Sequence, residues 1–285
     1  MFVARVYLAL LTYLVTPALG MTYSQTDSYQ GSDFLSGFIH QAIADPTYGR
    51  NCVDQATALA QNLTNPSGDT LILRADDTTR LMTVVRGCGT WPASMWEVGQ
   101  DWPSQGEIGI LEGANDDGTD QATLHTGSNC TVGGTRTMAG TSTDDNCEVN
   151  ATGNSGCGVK INDASSYGPT FNAVGGGFCA MEQSDAGVKV WLWSRNSGSI
   201  PSDVLGGATS RTADFPKTSC DMTSHFGPHN IVINLTFRGD LAGAVFAAGG
   251  CPGGLIRGLC TAYVDENPSA FANAYFDVAW ITVYQ

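Results

Sequence analysis

Basic residues are scarce in this chain: 13 Lys and Arg stand against 27 Asp and Glu in 285 residues, a formal net charge of -14. So few cations cannot build the basic patch that nucleic acid or an anionic membrane demands, and both partner classes are excluded. A neutral polymer fits this surface better. Long apolar runs are also missing, since no stretch approaches the ~20 residues needed to cross a bilayer. There is no CxxC pair and no close Cys/His cluster, which argues against structural zinc. Convincing helical periodicity, internal repeats and a dividing linker are absent too. With charged residues at only 14% and Gly, Ser, Thr, Asn and Asp abundant, the composition is that of a β-rich extracellular protein with many polar turns.

What is present supports export. Arg5 precedes an apolar stretch at residues 6–15, and Ala18-Leu19-Gly20 supplies a small-x-small exit. That layout is a secretory signal peptide over residues 1–20, too short for a transmembrane helix. Residues 21–285 are then expected to form one secreted, monomeric domain. Nine cysteines, Cys52, Cys88, Cys130, Cys147, Cys157, Cys179, Cys220, Cys251 and Cys260, imply disulfides with at least one thiol left over. The spacings Cys147/Cys157 and Cys251/Cys260 each suit a short loop, but spacing does not fix connectivity. Sequons begin at Asn62, Asn129, Asn150 and Asn234.

Short β-branched and aromatic runs alternate with Gly, Asn, Asp and Ser punctuation. Strands are predicted at residues 70–74, 90–98, 107–112, 122–126, 178–182, 188–194, 229–237 and 275–283. Helical turns are predicted at 53–62 and 268–274. The Gly/Asn/Ser/Thr-rich segment 137–168 reads as an ordered, disulfide-tied surface loop. Many short strands without helices between them give an all-β fold: a two-sheet antiparallel jelly-roll sandwich of the concanavalin-like type, with a concave substrate cleft.

The segment Gly106-Glu107-Ile108-Gly109-Ile110-Leu111-Glu112-Gly113 carries the strongest chemical signal. In a regular strand Glu107 and Glu112 would point to opposite faces. A bulge near Ile110-Leu111 would return Glu112 to the face of Glu107. Two carboxyls then share a cleft, as retaining glycosidases require.

This segment resembles the active-site strand of glycoside hydrolase family 16, the laminarinase and β-1,3(4)-glucanase group. GCGTWP (87–92), TLHTGSNC (123–130), SYGP (166–169), VWLWSRNS (190–197) and SHFGPHN (224–230) extend the likeness over nearly the whole mature chain. The resemblance implies a retaining endo-β-glucanase acting on β-1,3 or mixed-linkage glucan, with Glu107 as nucleophile and Glu112 as acid/base. It implies substrate contacts from Trp91, Trp102 and His125. A structural histidine is the competing reading for His125. No cofactor is implied; a structural calcium at Asp116-Asp117 or Asp144-Asp145 competes with a solvated loop.

Several positions depart from the family pattern. Gly109 stands where the family has an aspartate beside the nucleophile. The segment 76–88 is shorter than expected, as if strands were missing, and Trp91–Trp96 is one residue longer than the family's usual stretch. Arg238 replaces an expected cysteine, which leaves Cys220 without its expected partner. These departures keep open a catalytically impaired glucan-binding wall protein, and the shared double displacement, with a sugar in place of water, keeps open a transglycosylase. Trp191 and Trp193, two apart on one strand, share a face and join the aromatic candidates; Trp280 is read as core. His225 and His229 are read as structural, because Gly227-Pro228 between them forbids a helix.

Overall fold

The computed structural model describes residues 4–9, 23–44, 52–78, 92–114, 117–196, 211–235, 237, 242, 245 and 264–285. Trp91, most of the shortened segment and the Cys251/Cys260 pair lie outside the described residues. Fourteen strands are seen among them: β1 (Ala4–Ala9), β2 (Gln25–Gln30), β3 (Thr64–Ser67), β4 (Thr70–Arg74), β5 (Pro92–Gly99), β6 (Glu107–Ala114), β7 (Asp117–His125), β8 (Thr141–Ser142), β9 (Cys157–Lys160), β10 (Gly177–Ser184), β11 (Gly187–Ser194), β12 (Ala213–Pro216), β13 (His229–Leu235) and β14 (Tyr275–Tyr284). One sheet runs β12-β11-β10-β1-β14-β4-β3 with β2 also on β14, and the other runs β13-β5-β6-β7-β9-β8. The all-β sandwich expected from the sequence is the fold observed.

Local chemistry explains the hairpins. Ser67 pairs with Thr70, so β3 and β4 are joined by Gly68-Asp69 alone, and Gly68 adopts φ 62. A two-residue hairpin needs such left-handed backbone, which glycine accepts without steric cost. The expected helical turn at 53–62 is the helix Gln55–Ala60, capped by Asp54, whose carboxylate accepts the Thr57 N–H at 2.7 Å. Pro268–Phe271 is a 3₁₀ turn.

Alternation along the strands builds the core. Met95, Ile108, Ile110, Leu124 and Val159 from the six-stranded sheet meet Met181, Val188, Val190, Phe276, Val278 and Ile281 from the other. The opposite face of the six-stranded sheet carries Glu107, Gly109, Thr123 and His125, paired across β6 and β7.

Three readings change. Segment 137–168 is not wholly a surface loop, because β9 inserts beside β7 with Cys157, Gly158 and Val159 buried. Its disulfide tie, Cys147–Cys157, is present. Cys220 is not orphaned: it is bonded to Cys130, 90 residues away. Trp280 is half-buried rather than core. Ala4–Ala9, within the expected leader, lies as β1 between β10 and β14, parallel to both, while the other strand ladders among the described residues are antiparallel.

The Cys130–Cys220 bond belongs to a larger connection. Thr131 N–H donates to the Ser219 carbonyl, and a ring nitrogen of His225 meets the Ser128 carbonyl at 2.9 Å. Further along, Gly227 N–H and His229 Nε2 both reach the Gln105 carbonyl. The exit of β7 is thereby tied to the entry of β13, past the ends of β5 and β6. His225 and His229 are structural, as expected.

Candidate active site

The bulge that the sequence reading requires is on β6. Pairing with β5 steps from Met95↔Leu111 to Trp96↔Gly109, and pairing with β7 steps from Gly109↔Thr123 to Glu112↔Gln121. Each step leaves one extra residue on β6, so Glu112 rejoins the face of Glu107. The described part of β5 keeps regular register with β13, so the irregularity is not on the tryptophan-bearing strand. Gly106 delivers the chain into β6 at φ 76, against Phe226 and the His225 carbonyl, where a Cβ would approach within 2.6 Å.

Glu107, Glu112 and His125 converge, with one polar atom of each within 4.8 Å of the others. Such closeness is what a retaining carboxyl pair, set roughly 5–5.5 Å apart, requires. His125 pairs directly across from Glu107 on β7. Trp102 is 43% exposed, and its indole N–H donates to Glu107 Oε2 at 2.7 Å. Trp96, on the same face, donates to Asn234 Oδ1 at 3.0 Å. Trp191 and Trp193 do not reach this site; both are buried on β11 in the other sheet.

Burial, then the charge of Glu112, pushes the Glu107 carboxyl up to about 7, against the pull of the Trp102 hydrogen bond. Burial likewise lifts Glu112 to about 7, opposed by a hydrogen bond from the Thr123 hydroxyl. Burial lowers His125 to about 4, which keeps its imidazole neutral. A carboxyl pair near neutrality can hold one proton between its members, the state a double displacement starts from. Because the indole favours the ionised nucleophile, Trp102→Phe is expected to move the acidic limb of kcat/KM to higher pH. A pH–rate profile checks this, and an unmoved limb would deny the indole its role.

Thr123 is the site residue that motif reading missed, although its place two residues before His125 puts it on the same face. Its side chain is 1% exposed and receives Gln121 Nε2 at 3.1 Å. Gly109 has a specific consequence. A Cβ built there would lie 2.5 to 2.8 Å from the carboxyl atoms of Glu112, so the acid/base candidate occupies the volume a side chain would need. Gly109→Asp displaces that flexible end and restores the orienting carboxylate implied by the family pattern. Its expected result is a kcat raised about tenfold at similar KM, since an orienting group acts in the transition state. A fall instead would identify the seat over Gly109 as the working position.

Glu97 lies on the core face, 8% exposed, with His229 Nδ1 at 3.9 Å, and burial raises it to about 7. Glu97, Glu107 and Glu112 thus bind protons more tightly in the fold than in the unfolded chain. Their contribution to stability is full below an unfolded value near 4.5 and is lost as pH rises through about 7. Urea unfolding should therefore show lower stability at pH 8 than at pH 5. Glu97→Gln should flatten the dependence; an unchanged slope would sink the assignment.

Asp144 and Asp145 are engaged within the chain. Asp144 accepts the Asn146 N–H, and Asp145 accepts from Arg136 and Ser142. Asp116 lies outside the described residues.

The bulged carboxyl pair and its indole donor lie on the face of the six-stranded sheet turned away from the core. The sequence matches the XgeA-like catalytic domain of glycoside hydrolase family 16 over residues 77–284, and the chain belongs to that family. It is 35% identical to a probable glycosidase of Schizosaccharomyces pombe, covering 93% of this chain and 70% of that protein. It is 34% identical to a probable endo-1,3(4)-β-glucanase of Aspergillus niger, covering 96% of this chain and 42% of that protein. The chain therefore spans less than half the length of the Aspergillus relative. Among solved structures, laminarinase 16A of Phanerochaete chrysosporium, with 6-O-glucosyl-laminaritriose in donor and acceptor sites, superposes with a TM-score of 0.85 at 49% identity. That match covers 92% of this chain and 99% of the laminarinase. A family 16 elongating β-1,3-glucosyltransferase superposes with a TM-score of 0.81 at 31% identity, covering 93% of this chain and all of that one.

Proposed function

We propose that this chain is a retaining endo-β-glucanase that cleaves β-1,3 or mixed β-1,3/1,4 glucan. The observation that carries the reading is the β6 bulge, which brings Glu107 and Glu112 within 4.8 Å on the face turned away from the core. A carboxylate oxygen of Glu107 attacks the anomeric carbon while Glu112 gives its proton to the departing glycosidic oxygen. The Trp102 indole holds Oε2 and leaves the other oxygen to form the bond. In the second step Glu112 removes a proton from water, and that oxygen displaces Glu107 from the anomeric carbon. Two inversions give retention.

The substrate class is supported by the uncharged character expected of the ligand, by the exposed Trp102, and by the glucan held in the structurally similar laminarinase. Trp102 offers an apolar face on which a pyranose ring can stack. Trp91 is proposed as a second platform and His125 as a neutral sugar contact. The protein acts as a secreted monomer in this reading. Glycans are proposed at Asn62, Asn129 and Asn150, all exposed. Asn234 is spoken for by Trp96.

A transglycosylase is the second reading, favoured by the likeness to a glucosyltransferase, because the same ester intermediate can be intercepted by a sugar. Purified protein with laminarin and barley glucan tests both. Reducing ends appearing first as the β-anomer by NMR support hydrolysis with retention, whereas oligosaccharides longer than the substrate support transfer. Folded protein that is retained on glucan but yields neither product overturns both and leaves a binding protein.

A further inference from the structure

The bulge places Glu112, and something must hold the bulge. In a regular antiparallel ladder the amide of Glu112 would donate to a main-chain carbonyl across the sheet. Here it donates at 2.9 Å to Asp120 Oδ1, a side chain reaching in from β7. Asp120 occupies the irregular stretch of β7 between the pairs Ala114↔Asp117 and Glu112↔Gln121. Its own main chain is pinned twice: its N–H donates to Ser166 Oγ, and its carbonyl accepts the Ile161 N–H, both at 2.9 Å. The residue is 1% exposed.

A buried carboxyl is costly unless its hydrogen bonds repay the loss of water. An apolar residue at this position would leave the Glu112 amide without an acceptor at the point where the ladder is broken. We propose that Asp120 is a positioning residue for the acid/base: its carboxyl caps the Glu112 amide and locks the one-residue bulge that turns Glu112 toward Glu107. The inference rests on the assignment of Glu112 as acid/base. Burial first, and then the charge of Glu112, hold Asp120 well above the usual carboxylate range, while the Glu112 and Gln121 amides pull it down. The titratable groups that face it are Glu112 on β6 and the Cys179 thiol on β10. The Asp120 oxygen serves there as an acceptor, and the amide oxygen of asparagine has the same reach, so asparagine should replace it.

The test compares Asp120→Asn with Asp120→Ala on two substrates. Laminarin has a leaving group that needs the proton of Glu112. A dinitrophenyl β-laminaribioside has one that departs without it. The expected result for Asp120→Ala is a kcat on laminarin reduced about 100-fold at KM within about threefold, with cleavage of the activated glycoside far less affected. Asp120→Asn is expected to stay within about threefold of the parent on both. General damage would lower both substrates alike, and that outcome overturns the proposal. So does Asp120→Ala with full laminarin activity, or Asp120→Asn with the alanine phenotype. Should Asp120→Ala not fold, Asp120→Ser, one atom too short to reach the amide, takes its place.

Hydrogen exchange at the Glu112 amide separates this idea from the reading it rests on. If the parent protein cleaves neither substrate, the acid/base assignment fails. Selective deprotection of that amide in Asp120→Ala would still establish the cap, and unchanged protection would sink it.

Discussion

Glu107→Gln is expected to lower kcat on β-glucan by a factor on the order of 10⁴ or more, with retention on a glucan column unchanged. An amide has the shape of the carboxylate but cannot form the glycosyl ester. It still accepts the Trp102 indole hydrogen bond, so this face of the sheet is preserved. The pair should also uncouple: Glu112 loses the like charge beside it, and the pH dependence of residual binding should simplify to one step. Glu112→Ala should differ in kind. Without a proton donor, natural glucan turns over slowly while an activated aryl glycoside still forms the ester. Small anions such as azide should then speed its release, giving a β-glycosyl azide. Glu107→Gln with near-normal turnover would remove the nucleophile assignment entirely.

The second large effect is on stability. Joining Cys130 to Cys220 closes a loop with a sequence separation of 90, whereas Cys147–Cys157 closes one of 10. On loop entropy the long bridge contributes about 4–5 kcal/mol and the short one about 3 kcal/mol. A typical fold has only about 5–15 kcal/mol in total. Cys130→Ala with Cys220→Ala is thus expected to lower Tm by about 10 °C or more. Cys147→Ala with Cys157→Ala should cost less. Calorimetry decides, and equal losses would show that loop length is not the determining quantity.

Particular residues show where sequence was enough. The eight strands expected from β-branched and aromatic runs are all present, because their alternation encodes which face is buried. The bulge near Ile110 follows from parity once both glutamates are assigned to one face: Glu112 lies five positions after Glu107, and one must be absorbed. Polar and short strands were not legible. β2 is Gln-Thr-Asp-Ser-Tyr-Gln, and β3 contains Pro66, so neither shows an apolar face. β9 was hidden in a glycine-rich segment, since Gly158 reads as a turn until it is seen packed against Thr143 and Gln121. Asp120 was illegible for another reason. Nothing in Gly-Thr-Asp-Gln says that the aspartate turns inward, because that depends on a ladder broken in the neighbouring strand. The pairing of Cys220 was misjudged because a partner was sought by family position and not by proximity.

The connection from Ser128–Thr131 to Ser219–His229 acts on the sheet as a bowstring acts on a bow. It spans the ends of β5 and β6 beside Glu107 and Trp102, and it is closed covalently at one end and by carbonyl bonds along its length. The sheet cannot flatten at that rim without stretching it. In the proposed reading, the room left for a glucan chain near the nucleophile would then depend on the length of this loop as well as on strand sequence. Lengthening the loop at residues 217–221 would loosen the bow and change which branched or linear chains fit, with every reacting group left in place.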